Sequence, residues 1–190
     1  MTRTCRTAGL LLVSAVLAAC SGDPDLDLTV RTAVAGGDVT VEYTLANQSE
    51  TPVVLYDGGW TDPQQPGWSR GPMEVSVRDD GVIELAKRII HPCQTPDTSD
   101  CGGAREPTER IRGSVLEPGA SSSGSFRVPL QVEPDHPASA QRTPIPLAGR
   151  KVVFCIGFTE VTDDNPPAAA GLYPPASPQT ILCGEPFEVP

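Results

Sequence analysis

The fold of this chain is decided by the stretch LDLTVRTAVAGGDVTVEYTLAN, residues 26–47. Its first arm, Leu26 to Val34, alternates apolar and polar residues, and its second arm, which starts at Val39, does the same. This period of two is typical of a strand with one buried face. Gly36-Gly37-Asp38 joins the arms, and glycine supplies the positive φ angles of a tight hairpin turn. We therefore predict an antiparallel hairpin with these side chains on one face: Leu26, Leu28, Val30, Thr32 and Val34, followed by Val39, Val41, Tyr43 and Leu45.

The rest of the chain also favours short strands over helices. It contains 21 Pro and 18 Gly, and its Pro-free intervals show alternation or β-branched runs instead of a helical period. Asp80-Gly81 is a second hairpin signal, and residues 152–158 are apolar on both faces, which predicts a central strand. About nine short strands separated by turn residues indicate an all-β, antiparallel β-sandwich. The further predicted strands are residues 52–57, 73–85, 110–119, 123–130, 151–161 and 180–189.

Two segments resemble bacterial immunoglobulin-like envelope domains. VEYTLANQSETPVVLYDGG, residues 41–59, is similar to their second and third strands, and LEPGASSSGSFRV, residues 116–128, is similar to their Leu-x-Pro-Gly turn and the strand after it. The resemblance implies an immunoglobulin-like sandwich with long Pro/Gly-rich loops, and it implies no activity. The Cys…Trp…Cys spacing of antibody domains is absent, because Trp60 and Trp68 precede every cysteine after Cys20.

The N-terminus has the layout of a secretory signal peptide. Arg3 and Arg6 precede an apolar run from Ala8 to Ala19, and Ser21-Gly22-Asp23 end that run. A membrane-spanning helix needs about twenty apolar residues, so this run is too short to be one. Its last residues, Leu17-Ala18-Ala19-Cys20, resemble the lipobox of bacterial lipoproteins, which joins an aliphatic residue and two small residues to an invariant cysteine.

The lipobox resemblance implies that Cys20 is acylated and becomes the first residue of the mature chain. Two acyl chains anchor a protein stably in a bilayer, whereas one holds it only marginally. The chain then divides into a signal peptide (1–19), a lipidated tether (20–27) and a single β-sandwich domain (28–190). We expect it at the extracytoplasmic face of a bacterial cell membrane; a plain secreted protein with a chance cysteine is the alternative.

The charge of the chain argues against nucleic acid as a partner. Removal of Arg3 and Arg6 with the signal peptide takes the net charge from −10 to −12. A surface of that sign repels phosphate backbones. The acidity is better explained by solubility than by a cation site.

Four cysteines remain after Cys20, namely Cys93, Cys101, Cys155 and Cys183. An even number in an oxidising compartment predicts two disulfides. Three pairings are possible, and we favour Cys93–Cys101 and Cys155–Cys183 because each joins near neighbours. No metal or cofactor is expected: the chain has no C-x-x-C pair, and its two histidines, His91 and His136, lie in Pro-rich loops.

The sequence offers no catalytic motif, so we expect a protein that is not an enzyme. The best candidate binding loop is residues 58–72, which carry Trp60, Trp68 and Arg70. Exposed aromatic residues on end loops often recognise a protein or a glycan, although these indoles could instead plug the core. The loop between Cys93 and Cys101 is the second candidate. The expected function is a non-catalytic binding or assembly role in the envelope; a carrier or chaperone for a small ligand or metal ion is the alternative.

Overall fold

The computed structural model describes residues 25–61, 69–70, 73–89, 110–133, 144–174, 177 and 179–190. These residues form sixteen β-strands and no helix, which confirms the all-β class. None of the described segments is a helix able to cross a membrane. The first eight strands are β1 (Leu26–Ala35), β2 (Asp38–Asn47), β3 (Val53–Leu55), β4 (Trp60–Thr61), β5 (Ser69–Arg70), β6 (Glu74–Val77), β7 (Ile83–Lys87) and β8 (Arg110–Arg112). The others are β9 (Ser114–Leu116), β10 (Ser121–Pro129), β11 (Gln131–Val132), β12 (Ile145–Pro146), β13 (Lys151–Glu160), β14 (Leu172–Tyr173), β15 (Thr180–Cys183) and β16 (Phe187–Glu188).

The predicted N-terminal hairpin is confirmed and belongs to a three-stranded sheet of order β1-β2-β10. Ala35 lies opposite Asp38, so Gly36 and Gly37 alone form the turn. Their φ angles, 64° and 91°, are both positive, as in the type I′ turn whose twist suits a hairpin. The inward residues of β2 are buried, but in β1 only the first half contacts the main core; Thr32 and Val34 are exposed.

The second predicted hairpin is also present, between β6 and β7. Val77 lies opposite Ile83, and the Arg78 N–H donates to the Val82 carbonyl over 2.9 Å. Gly81 has a φ of 80°, the left-handed conformation that closes a three-residue hairpin loop.

A seven-stranded sheet is organised around β13, as the apolar run predicted. On β13, every residue from Val152 to Thr159 is buried. The strand pairs antiparallel with β3, β15 and β16, but it pairs in parallel with β7, from Val152 opposite Ile83 to Ile156 opposite Lys87. The prediction of a purely antiparallel sandwich is therefore wrong, because a residue pattern specifies which faces are buried but not the direction of the neighbouring strand.

The main core lies between the three-stranded and seven-stranded sheets, which pack face to face as in a β-sandwich. The ring of Phe154 on β13 lies 4.9 Å from the ring of Tyr43 on β2 and 5.3 Å from that of Phe126 on β10. These distances suit the tilted contacts that aromatic rings favour. The aromatic group thus joins the two sheets at the centre of the core.

A second, smaller core covers the opposite face of the seven-stranded sheet. Along β3, Val53 and Leu55 belong to the main core, whereas Val54 and then Tyr56 belong to this second cluster. The four-stranded sheet β14-β8-β4-β5 contributes two further members, Ile111 and Tyr173. The run from Val53 to Tyr56 is therefore fully buried, since both of its faces are covered.

Two predicted strands are each divided at a glycine. Residues 110–119 break at Gly113 into β8 and β9, which belong to different sheets. A Cβ atom on Gly113 would lie 2.8 Å from the Tyr173 ring, so the chain can bend there only without a side chain. Residues 180–189 break at Gly184 into β15 and β16, and both pair with β13.

Candidate functional site

The base of the predicted binding loop, residues 58–72, is built into the four-stranded sheet. Trp60 lies opposite Arg70 on one side and opposite Ile111 on the other. The Gly58 N–H donates to the Arg112 carbonyl over 3.0 Å, and the Arg112 N–H donates to the Gly59 carbonyl over 3.1 Å. Residues 58–61 and 69–70 are thus held together in this sheet. Trp68 lies outside the described residues.

The predicted disulfide Cys155–Cys183 is confirmed. The two residues lie directly opposite each other on β13 and β15, with their Cα atoms 4.0 Å apart. Cys155 is completely buried, whereas Cys183 keeps contact with solvent. The bridge therefore fastens the C-terminal segment to the central strand. Cys20, Cys93, Cys101, His91 and His136 lie outside the described residues.

A charged cluster that the sequence pattern does not predict lies beside the disulfide. Arg88 Nε donates to Glu74 Oε2 over 2.6 Å, and Arg88 Nη1 lies 2.8 Å from Glu84 Oε1 in an ion pair that lacks hydrogen-bond alignment. Burial opposes the charge of Arg88, but the hydrogen bond that Arg88 donates to Glu74 and the charges of Glu74 and Glu84 outweigh this effect and raise the pKa of Arg88. The guanidinium is thus shared by two carboxylates from β6 and β7.

The same region brings together three potential metal-ligating atoms. Glu84 Oε, Cys155 Sγ and Cys183 Sγ all lie within 4.8 Å of one another. The thiolate is the form of cysteine that binds metals, and here the two sulfurs are bonded to each other. The Glu84 carboxylate is already paired with Arg88. In the oxidised protein the cluster is therefore a structural element.

A buried lysine in the main core is the most unusual polar group of the described residues. Lys87 Nζ donates to Tyr43 Oη and to the Asp57 carbonyl, each over 3.2 Å. The ammonium also lies 5.2 Å from the Tyr43 ring centre and 5.8 Å from that of Phe126, within cation–π range. Lys87 lies two residues after Leu85, which itself lies two residues after Ile83, and both face the main core. This alternation indicates an inward position for Lys87, although a lysine is not expected in a core.

The electrostatics of this group follow from its burial. Desolvation lowers the pKa of Lys87, and the negative charge of Asp57 partly opposes that effect. Desolvation, followed by the charge of Asp57, raises the pKa of Tyr43 to about 12. Both shifts favour the neutral forms of the two side chains.

The Lys87 group reaches the start of the predicted binding loop through Asp57. The Ser114 hydroxyl lies 3.1 Å from each carboxylate oxygen of Asp57, to which it donates. Asp57 is therefore held by Lys87 at its carbonyl and by Ser114 at its side chain, and Gly58 follows it directly. Gly124 on β10 packs directly against Tyr43, and a Cβ atom at this position would overlap the Tyr43 ring and hydroxyl.

Comparison with known proteins gives no match: no protein-family model fits the chain, and no curated protein or solved structure is significantly similar to it.

Proposed function

We propose that this chain is a lipid-anchored, non-catalytic binding module of the bacterial envelope that presents residues 58–72 to an envelope protein or glycan. The observation that carries the proposal is the fixed base of that loop. Trp60 pairs with strands on both sides, and Asp57 is held by Lys87 and Ser114. A loop whose ends are rigidly held loses less conformational entropy on binding, which favours affinity.

The lipid anchor rests on the lipobox resemblance at Cys20, and two features support it. The first strand begins at Leu26, only six residues further on, so an extended tether places the domain within about 20 Å of the bilayer. The disulfide between Cys155 and Cys183 suits an oxidising, extracytoplasmic compartment.

The immunoglobulin-like character of the sandwich is part of the proposal. It is supported by the turn at residues 116–119, where Gly119 has a φ of 73° and donates its N–H to the Asn47 carbonyl over 2.8 Å. This turn carries the chain from β9 in the seven-stranded sheet to β10 in the three-stranded sheet. Such crossings between sheets are typical of Greek-key sandwiches.

Binding assays with the purified mature protein test the proposal. We expect Trp60→Ala and Trp68→Ala each to weaken binding to purified cell-wall glycan, or to detergent-solubilised envelope proteins, by about 2 kcal/mol, a factor of about thirty. The two substitutions should weaken binding to either the glycan or the envelope proteins, and the one affected identifies the class of partner. Val77→Ala, which removes an exposed apolar side chain from β6, is the matched control.

Thermal melts of the same variants separate recognition from packing. A recognition role leaves the melting temperature nearly unchanged, whereas truncation of a buried indole costs about 3–5 kcal/mol of unfolding free energy. Both tryptophan variants losing stability by that amount, with no specific loss of binding, would end the proposal for this loop.

A further inference from the structure

One edge of strand β1 is not paired with any strand in the part of the chain that the structure describes. Among the described strands it pairs only with β2, and it runs for ten residues without Pro, Gly or a bulge. Residues 31–35 are all exposed. An edge of this kind is a template for pairing with another strand, and proteins usually interrupt it.

The hydrogen-bond phase shows which backbone groups are free for such pairing. The Gln48 N–H donates to the Asp25 carbonyl over 2.8 Å, so the odd-numbered residues of β1 form the hydrogen-bonded pairs with β2. The even-numbered residues therefore direct their N–H and C=O groups to the open edge. They are Leu26, Leu28, Val30, Thr32 and Val34.

The charges of β1 complement a second copy of the same strand. Asp27 and Arg31 both point to the exposed outer face, and neither forms an ion pair with a described residue. In an antiparallel pair centred on Thr29, Asp27 of each copy lies opposite Arg31 of the other. Centring on Asp27 or on Arg31 instead would place like charges opposite each other.

The same register also satisfies the backbone. Centring on Thr29 places Leu28 opposite Val30 of the second copy, and both residues direct their backbone groups to this edge, so they can exchange two hydrogen bonds. Thr29 then lies opposite its own counterpart in a non-hydrogen-bonded pair, the closer of the two pair types, where Thr–Thr contacts are favourable. The hydrogen-bond phase therefore permits the register that the pairing of Asp27 with Arg31 favours.

We propose that the protein forms a two-fold homodimer in which β1 pairs antiparallel with β1 of a second copy, centred on Thr29. The two three-stranded sheets then become one continuous six-stranded sheet. This proposal depends neither on the binding role proposed for residues 58–72 nor on the lipid anchor.

Disulfide trapping of the mature protein in detergent tests this register. Thr29→Cys lies on the two-fold axis and should yield a covalent dimer under mild oxidation. Ala33→Cys is the matched control: it is exposed on the same strand and face, but the two copies of residue 33 are eight positions out of register, or about 27 Å apart. Peptide mapping should show that Cys155–Cys183 remains intact in both variants.

Charge reversal provides a second test of the register. Dimer formation is measured by sedimentation of variants that carry no introduced cysteine. Asp27→Arg should weaken the dimer about tenfold or more, because each new arginine faces Arg31 of the other copy. The double variant Asp27→Arg with Arg31→Asp should restore the dimer. A wild-type protein that stays monomeric at about 100 μM, or equal trapping of Thr29→Cys and Ala33→Cys, would overturn the proposal.

Discussion

Lys87 Nζ lies 3.2 Å from Tyr43 Oη, and this hydrogen bond links the seven-stranded sheet to the three-stranded sheet through the main core. Both residues are more than nine-tenths buried. A buried ammonium is costly unless it is hydrogen-bonded, and here Tyr43 and the Asp57 carbonyl provide that compensation. The pair therefore makes the stability of the fold depend on pH at the alkaline end.

Tyr43 should make the protein less stable above pH 10. Its pKa is raised to about 12 in the folded protein, so its contribution is fully present below the unfolded value of 10.0 and is lost as the pH rises through about 12. The loss amounts to about 3 kcal/mol of unfolding free energy. About half of this loss should be reached at pH 11, so urea unfolding at pH 9 and pH 11 should differ by about 1.4 kcal/mol from this group, and Tyr43→Phe should show a smaller difference between the two pH values. An identical difference in both proteins would contradict the assignment.

Lys87 should change the pH dependence of stability in the opposite direction to Tyr43. Its pKa is lowered in the folded protein from 10.5, so between the lowered value and 10.5 the unfolded chain binds more protons than the folded one. The contribution of this group to stability therefore rises with pH across that window. In Lys87→Met this rise should disappear, which urea titrations at pH 7 to 10 can detect. The comparison is limited to pH values below 10, because above pH 10 the ionisation of Tyr43 also changes the stability.

Gly124→Ala should destabilise the protein by about 1–3 kcal/mol, the usual cost of overpacking a core. The added Cβ would overlap the Tyr43 ring and hydroxyl, which are held in place by Lys87. Chemical unfolding measures the loss. Ser125→Ala, at the exposed neighbouring position on β10, should change stability by no more than about 0.5 kcal/mol. Equal effects of the two substitutions would show that Tyr43 can move aside.

Loss of the Cys155–Cys183 bridge should cost about 3.5 kcal/mol, the chain-entropy value for residues separated by 28 positions. The double variant Cys155→Ala with Cys183→Ala removes the bridge without leaving a reactive thiol. Its urea midpoint, compared with that of the oxidised wild type, gives the difference. Non-reducing peptide mapping should in addition link Cys93 to Cys101, a pairing that stays a prediction. A peptide joining Cys93 to Cys183 would contradict both assignments.

Strands and turns of this chain could be predicted where the residue pattern is compatible with only one local structure. Gly36-Gly37 between two alternating arms specifies a hairpin, and the apolar residues 152–158 specify a strand covered on both faces. The parallel pairing of β7 with β13 could not be predicted, because alternation does not encode the identity or direction of a neighbouring strand.

The partners of the interior charged groups could not be predicted for a different reason. Lys87 and Arg88 are adjacent in sequence, and a charged pair is ordinarily assigned to the surface. Each is instead compensated by a residue distant in sequence: Lys87 by Tyr43 and Asp57, and Arg88 by Glu74. Partners of that kind become visible only when the sheets are assembled.

The mass of the mature N-terminal peptide tests the proposed lipid anchor most directly. The protein is expressed in a bacterium with its own signal sequence, and the membrane fraction is analysed by mass spectrometry beside a Cys20→Ala variant. We predict that the wild-type protein starts at Cys20 with a diacylglyceryl modification, and that the variant is unacylated and absent from the membrane fraction. An unmodified N-terminus in the wild type, or a Cys20→Ala protein that is cleaved and membrane-bound like the wild type, would contradict the lipoprotein assignment.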